Sequence, residues 1–470
     1  MLWIDITDTF FTWSGSPSGI QRTLLGLAAA TQARNDCGLC IWDQRSNVWR
    51  KLSPDVFEDA SGPVASSVAV GRCAKDFKTL WEFCFIHARQ VAKGGFNAVR
   101  SKQALDMWEK QGCFRVPLRS PSARFRAFAA NRPSASRQGL SVEKSLASLP
   151  KIDFSTGINA VLFADSHWNR RSILASLRQQ PGKPLSIGFC HDVIPTERVD
   201  FVGDKSRNDF LLWIEQMQHH CDQILCNSAY SATRLRAAFL AGAPRPNVRS
   251  VRFGNALNVG HSHDKPQRTL SEILAGYGAR HTNLSTLAAN AKDWFLWVGS
   301  LDVRKNLDVL LMAMEGLVLR GVALRPVVLV GRSSMGHAYY LHKIARHPQL
   351  KDYIVHIEAA PDALLCDLRR QAALFLFTSW AEGYGLPVAE ALQAGIPVIA
   401  SNATSIPEVA GDLVDYFEPW NSGQLAALVE RFETDPAYRA DLKARAARFA
   451  PTDWNETIDD IISGLPAGAD

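Results

Sequence analysis

With 470 residues, 47% hydrophobic and 21% charged, the chain is too long for one ordinary core and too apolar to be disordered. The net charge of +6 is mild at this length, and no zinc-finger or RNA-module pattern accompanies it, so nucleic acid is set aside as a partner. The nine cysteines are scattered from Cys37 to Cys366 and include one lone pair, Cys37-Gly-Leu-Cys40; they read as reduced thiols rather than a disulfide framework or zinc site.

Short apolar runs alternate with longer helical patterns, which predicts α/β architecture with parallel sheets. In the first half strands are expected at Leu2–Ile6, Leu39–Trp42, Ala160–Ala164, Leu185–Phe189, Gln223–Cys226 and Val248–Arg252. The first of these lacks the basic start and long apolar core of a secretory signal. No uninterrupted apolar stretch approaches the roughly 20 residues of a membrane span, so a cytoplasmic protein is expected. Between Arg89 and Arg137 eleven Lys/Arg face two acids, a local balance of +9 larger than that of the whole chain. A solvated basic face is one reading. The other, given the interleaved Phe114, Phe125 and Phe128, is peripheral contact with the inner face of a membrane. An irregular stretch runs from Pro117 to Pro150, and a polar one from about Gly260 to Ala291 reads as linker plus a short helix. In the second half strands are expected at Trp294–Val298, Val327–Val330, Tyr353–Ile357, Ala373–Phe377, Val398–Ala400 and Val414–Phe417. Each set suffices for one doubly wound domain.

The densest chemistry lies in Glu382-Gly-Tyr-Gly-Leu-Pro-Val-Ala-Glu390. A buried strand ends there at Gly383 and Gly385, and Pro387 suits the first turn of a helix. A helix N-terminus at the carboxyl end of a parallel strand offers free N–H groups and a favourable dipole to an anion. Glu382 in the turn is placed to accept sugar hydroxyls, and Glu390 to accept both hydroxyls of a ribose. Arg304 and Lys305 supply a fork and a point charge for a diphosphate. His191 and Asp192, in Phe189-Cys-His-Asp-Val-Ile-Pro195, stand at the carboxyl end of another buried strand.

These motifs, with Ala394-Gly-Ile-Pro-Val-Ile-Ala-Ser401 and Ile406-Pro-Glu-Val409, resemble the retaining glycosyltransferases of family 4. The resemblance implies the GT-B fold: two Rossmann-like doubly wound domains facing a central cleft, with a C-terminal helix crossing back to the first. It divides the chain into an acceptor-binding domain, 1–258, with a variable basic insertion at about 50–150; a linker, 259–291; a nucleotide-sugar-binding domain, 292–450; and a crossover helix, 451–470. It places Lys305 on the donor diphosphate and His191 on the transferred hexose. The donor set it implies is Gly19, Arg304, Lys305, Gly331, Gly383, Tyr384, Gly385, Leu386 and Glu390, with His191 and Glu382 catalytic and Arg22 and Asp192 toward the acceptor. Many members carry Arg after the glycine of Val298-Gly299, where this chain has Ser300, leaving one cation fewer for the phosphates.

The chain has no Asp-x-Asp, so no metal and no other cofactor is expected. The style of Asp302-Val-Arg-Lys-Asn306 resembles that of bacterial mannosyl- and rhamnosyl-type enzymes of surface polysaccharide assembly. GDP-mannose is the first donor expected, with UDP- and dTDP-sugars open, and a saccharide or lipid-linked acceptor. Competing readings are a two-domain epimerase and a non-catalytic subunit partnering an active transferase.

Overall fold

Each of these apolar runs forms a strand in the computed structural model, within a residue or two of its expected ends. The structure describes residues 1–12, 19–32, 34–44, 46–52, 149–165, 172–255, 267–279, 281–282, 284–332, 334, 337–358 and 360–465. The basic segment 89–137, with Phe114, Phe125 and Phe128, and nearly all of the stretch 117–150 lie outside them. The chain divides into two compact units, one of Met1–Asp5, Ser16–Gly38 and Asp153–Asp470, the other of Ile6–Gly15 and Leu39–Ile152.

The larger unit holds two sheets. In the first, β1 (Leu2–Asp5), β4 (Ala160–Phe163), β5 (Leu185–Cys190), β6 (Gln223–Cys226) and β7 (Asn247–Ser250) follow one another in parallel. In the smaller unit, β2 (Cys37–Asp43) pairs antiparallel with β3 (Val48–Leu52), Ile41 opposite Arg50. β3 was not foreseen because Arg50 and Lys51 interrupt its apolar pattern. Arg50 is nevertheless buried, its Nη2 3.1 Å from Asp43 Oδ2, so the charge is neutralised within the hairpin.

The second sheet has the order β14 (Asp415–Phe417), β13 (Val398–Ser401), β12 (Ala372–Phe377), β9 (Trp294–Val298), β10 (Val327–Val330), β11 (Ile354–Ile357) and β8 (His281–Thr282); only β8 is antiparallel. Its central strands are apolar on both faces, as parallel strands between two helical layers must be. Phe295 and Trp297 pack into one layer with Leu310, Met314 and Phe432, while Trp294 and Leu296 pack into the other with Leu274, Leu368 and Leu392. Residues 267–291 contribute to that second layer: the helix Leu270–Tyr277, started by a Thr269/Glu272 capping box, buries Leu270, Ile273 and Leu274.

The strand order reverses between β9 and β12, one side continuing to β10 and the other to β13. Loops leaving the carboxyl ends of two such strands diverge and leave a crevice for a ligand. Residues 299–306 and 378–385 are those loops.

The C-terminal helix Trp454–Ser463 returns to the first sheet's side. Trp454 fills space that two glycines leave: a Cβ at Gly26 or Gly254 would lie 2.1 or 2.4 Å from its ring. Asp460 accepts from Arg252 N (2.8 Å) and from Arg249 Nη1 (3.2 Å), and Gln223 donates to Gly464 O (3.2 Å).

Candidate active site

A 3-10 turn, Val303–Lys305, follows β9, and Asn306 (φ 51°) reverses the chain into the helix Leu307–Leu319, its Nδ2 donating to Pro419 O at 2.6 Å. The turn is fastened to the end of β12: Trp380 N donates to Arg304 O (2.8 Å) and Thr378 Oγ1 to Lys305 O (2.8 Å). Both cations therefore point at the next loop. Lys305 Nζ lies 2.5 Å from Glu382 Oε1, and Arg304 Nη1 lies 2.9 Å from Glu382 Oε2.

Burial alone would raise the Glu382 pKa, yet Arg304 and then Lys305 outweigh it and hold the carboxyl at about 2. Burial depresses the Lys305 ammonium, and Glu382 opposes that only in part. Burial would also lower Arg304, but Glu382, Asp302 and Asp192 together raise it. The Glu382 backbone is held as firmly as its side chain: its N–H donates to Thr404 Oγ1 (2.9 Å), and Ser405 Oγ donates to its carbonyl (3.0 Å).

Gly383 is where the two sheets' loops meet. A Cβ there would stand 1.9 Å from His191 O and 2.8 Å from the Asp192 Cβ, so only glycine fits. Its carbonyl accepts from Ser228 Oγ at 2.7 Å. Ser228 is also the N-cap of the helix Ala229–Ala238. Glu408 completes the junction, accepting from Ala229 N (2.7 Å) and Tyr230 N (2.6 Å). The Tyr384 side chain faces the same junction, its hydroxyl accepting from Asn255 Nδ2 (2.8 Å) and its ring 4.7 Å from that of Phe253. The side chain of Tyr384, a residue expected in the donor set, thus docks the first sheet's loops.

Gly385 takes φ 110°, which L side chains avoid, and opens the helix Leu386–Gln393 with Pro387 in its first turn. Among the described residues no side chain caps this N-terminus. Glu390 is buried four residues on, ion-paired with Arg369 and 3.8 Å from Arg22 Nη1. Arg22 also holds Asp362, Nη2 to Oδ1 2.6 Å. Arg22 was expected toward the acceptor; the structure sets it on the carboxylates of the second sheet's helices, because Asp362 and Glu390 together attract it. Arg369 was not anticipated. It ends a strongly amphipathic helix, Asp362–Arg370, where a cation ordinarily complements the dipole in solvent.

His191 stands just after β5 with Nε2 2.7 Å from Ala164 O. A carbonyl only accepts, so Nε2 carries the proton and Nδ1 of the neutral ring is the acceptor nitrogen. Asp192 Oδ1 accepts from Ile194 N (3.1 Å). Burial raises the Asp192 pKa against the pull of Arg304, and Glu382 raises it further, so Asp192 belongs to the same charged cluster. Gly331 is required by packing: a Cβ would lie 1.6 Å from Gly299 O. Gly19 opens the helix Gly19–Thr31, and among the described residues none lies within 4 Å of where a Cβ would be. Of the expected residues, Arg304, Lys305, Glu382, Asp192 and His191 converge, Gly383 joins them, and Glu390 and Arg22 form a second cluster with Arg369.

Among the described residues no three or more His, Cys, Asp and Glu side chains gather as metal ligands do. Among them, too, no helix is long and apolar enough to cross a membrane.

Residues 283–449, which span β9 to β14 of the second sheet, match the family described as glycosyl transferases group 1. The chain is 23% identical over 282 residues to the serotype-specific mannosyltransferase WbdA of Escherichia coli, covering 59% of this chain and 33% of that protein. It is 31% identical over 150 residues to the O-antigen chain mannosyltransferase B of Escherichia coli, 32% of this chain and 39% of that one. The chain thus spans between a third and two fifths of the length of these relatives. Among solved structures, Anabaena HepE in complex with UDP and glucose superposes with a TM-score of 0.56 over 99% of both chains at 14% identity. Sucrose-phosphate synthase of Thermosynechococcus elongatus superposes with a TM-score of 0.52 over 98% of this chain and 94% of that one, at 14% identity. Both share the GT-B fold with this chain.

Proposed function

We propose that the protein transfers a hexose from a nucleoside diphosphate sugar to a saccharide or lipid-linked acceptor, with retention of configuration. The observation that carries this is the buried cluster of Arg304, Lys305 and Glu382 at the strand-order reversal of the second sheet, beside an N-terminus that no described side chain caps. Two cations and a helix N-terminus suit a diphosphate, and a carboxylate beside them suits the sugar it carries.

The resting ion pairs imply an exchange. Glu382 neutralises Arg304 and Lys305. Diphosphate oxygens replace it on both cations, and the released carboxylate turns to the sugar hydroxyls. Breakage of the anomeric C–O bond leaves its electron pair on the phosphate, where Arg304, Lys305 and the first turn of Leu386–Gln393 stabilise the charge. The acceptor oxygen bonds to the anomeric carbon on the face the phosphate leaves, and its proton passes to a phosphate oxygen. His191 borders the transferred hexose from the first sheet's side, while Glu390, oriented by Arg369, receives the ribose.

Mannose from GDP-mannose is the first choice of donor, supported by the two mannosyltransferase relatives, and assembly of a surface polysaccharide is the setting they suggest. We further propose metal-independent turnover in the cytoplasm, with the basic 89–137 segment touching the inner membrane face. The test is thermal stabilisation by GDP-mannose, UDP-glucose and dTDP-rhamnose. A ligand at a hundredfold excess over its Kd adds about 2.7 kcal/mol to stability. GDP-mannose should give the largest rise in Tm; no rise with any donor contradicts the proposal.

A further inference from the structure

The helix Ala229–Ala238 starts just after β6, and the N–H groups of its first turn have no partner within the helix itself. Its own N-cap serves one of them, Ser228 Oγ accepting from Ser231 N at 3.1 Å. Two more are served from the second sheet's side. Glu408, on the helix Ile406–Ala410 that follows β13, accepts from Ala229 N (2.7 Å) with one carboxylate oxygen and from Tyr230 N (2.6 Å) with the other. One helix cap is thus completed across 179 residues of sequence. Both sides of the contact lead to residues of the proposed reaction. On the Glu408 side, Ser405 Oγ lies 3.0 Å from Glu382 O and 2.9 Å from Tyr384 O. On the helix side, Asn227 Nδ2 donates to His191 O (2.8 Å), and the Tyr230 hydroxyl donates to Glu197 Oε2 (2.8 Å) at the end of the helix Ile194–Glu197.

We propose that Glu408 is a positioning residue: by capping the helix Ala229–Ala238 from the other sheet, it sets the approach of His191 to the sugar held by Glu382. The inference rests on the transfer reaction proposed above. A carboxylate at a helix N-terminus joins its charge to the dipole and to directed N–H groups, and two bonds through one planar group fix both distance and angle. Glu408 itself is exposed, and the groups proposed to hold the nucleotide, Arg304, Lys305 and Glu390, all stand on the second sheet's side. Its loss therefore leaves donor binding intact. The contacts of Ser228 with Gly383 O and of Asn255 with Tyr384 keep the two edges together, so what loosens is their register. A shift of about 1 Å between reacting groups is enough to slow a bound reaction.

The experiment is a double-mutant cycle on the full chain, with Glu408→Ala, Ala229→Pro and the two combined. Each is followed by acceptor-dependent nucleotide release and by calorimetric binding of the same nucleoside diphosphate. Proline is well tolerated at the first position of a helix, and the extended backbone of Ser228 (φ −147°, ψ 155°) suits the residue before it. Ala229→Pro thus removes one N–H from the contact while Glu408 stays in place. Each single variant should lower kcat about tenfold and leave the nucleotide Kd unchanged within about twofold, and the double variant should be no slower than the slower single. Glu408→Gln, which keeps an acceptor oxygen, should retain at least about a third of kcat. An unchanged kcat in either single variant overturns the inference, as does a Kd that weakens as much as kcat falls, or losses that multiply in the double variant. If Glu408→Ala does not fold, Ala229→Pro and Glu408→Gln decide alone by the same criteria. Turnover by the unaltered chain that is indifferent to these changes sinks the role of Glu408 only, whereas an unaltered chain that consumes no donor sinks the transfer reaction.

Discussion

The carboxyl edges of the two sheets are built on different principles. At the second, charge meets charge: Arg304 and Lys305 on one loop grip Glu382 on the next, and Glu390 follows eight residues later, about one turn into the helix Leu386–Gln393. At the first, polar groups are sparse and set among aromatics, with His191, Asp192 and Asp165 near Phe189, Phe210 and Trp213. A diphosphate presents the same charges whatever sugar it carries, so the side that binds it needs tightly spaced ions. A sugar ring presents hydroxyls and C–H faces, which sparse polar groups among aromatics suit. Losses in turnover should therefore be larger on the second side, and changes in acceptor choice should arise on the first.

The largest effect is expected from Glu382→Gln, which keeps the shape but removes the charge proposed to hold the sugar. Transfer kcat should fall about 10³-fold in a nucleotide-release assay, the scale of losing one preorganised group in the transition state. Next comes acid stability. The Glu382 pKa is depressed in the folded chain from 4.5 to about 2, so its contribution is complete above pH 4.5 and is lost as pH falls through 2. The shift corresponds to about 3 kcal/mol, and Glu382→Gln should flatten that part of the stability profile measured by denaturant unfolding from pH 5 to 2.

Lys305→Ala should weaken nucleoside diphosphate binding about 30-fold by calorimetry, the scale of one charge-assisted hydrogen bond. His191→Ala should lower kcat by about tenfold while nucleotide affinity holds, since one neutral hydrogen bond to the hexose is lost. A His191 loss larger than that of Glu382→Gln would reverse the comparison. The smallest change is expected from Arg22→Ala, a few-fold rise in donor KM through Glu390, because Asp362 and Arg22 are partly solvated.

What was legible in the sequence follows the same division. The parallel strands of both sheets could be read because strands buried on two faces are apolar throughout, as Trp294–Val298 and Val327–Val330 are, whereas the short antiparallel edge strands β3 and β8 could not. Glu382, Gly385, Pro387 and Glu390 could be read because strand, turn and helix are consecutive, so their spacing in sequence is their spacing in space. Arg369 and Arg22 could not be placed in that way. Arg369 meets Glu390 from 21 residues earlier, and Arg22 meets Asp362 across 340 residues, and neither separation leaves a local pattern. Gly383 was expected in the donor set, and its lack of a side chain also permits the close approach of His191 O, a packing demand that only the folded chain reveals.

The exchange at Arg304, Lys305 and Glu382 is the central claim, and acceptor-dependent release of nucleoside diphosphate by the unaltered chain and by Glu382→Gln tests it most directly. With GDP-, UDP- and dTDP-sugars offered in turn, one donor class should be consumed by the unaltered chain. The variant should still bind the corresponding nucleoside diphosphate while its release falls to background. Release unchanged in Glu382→Gln, or no donor consumed by the unaltered chain, would contradict the account.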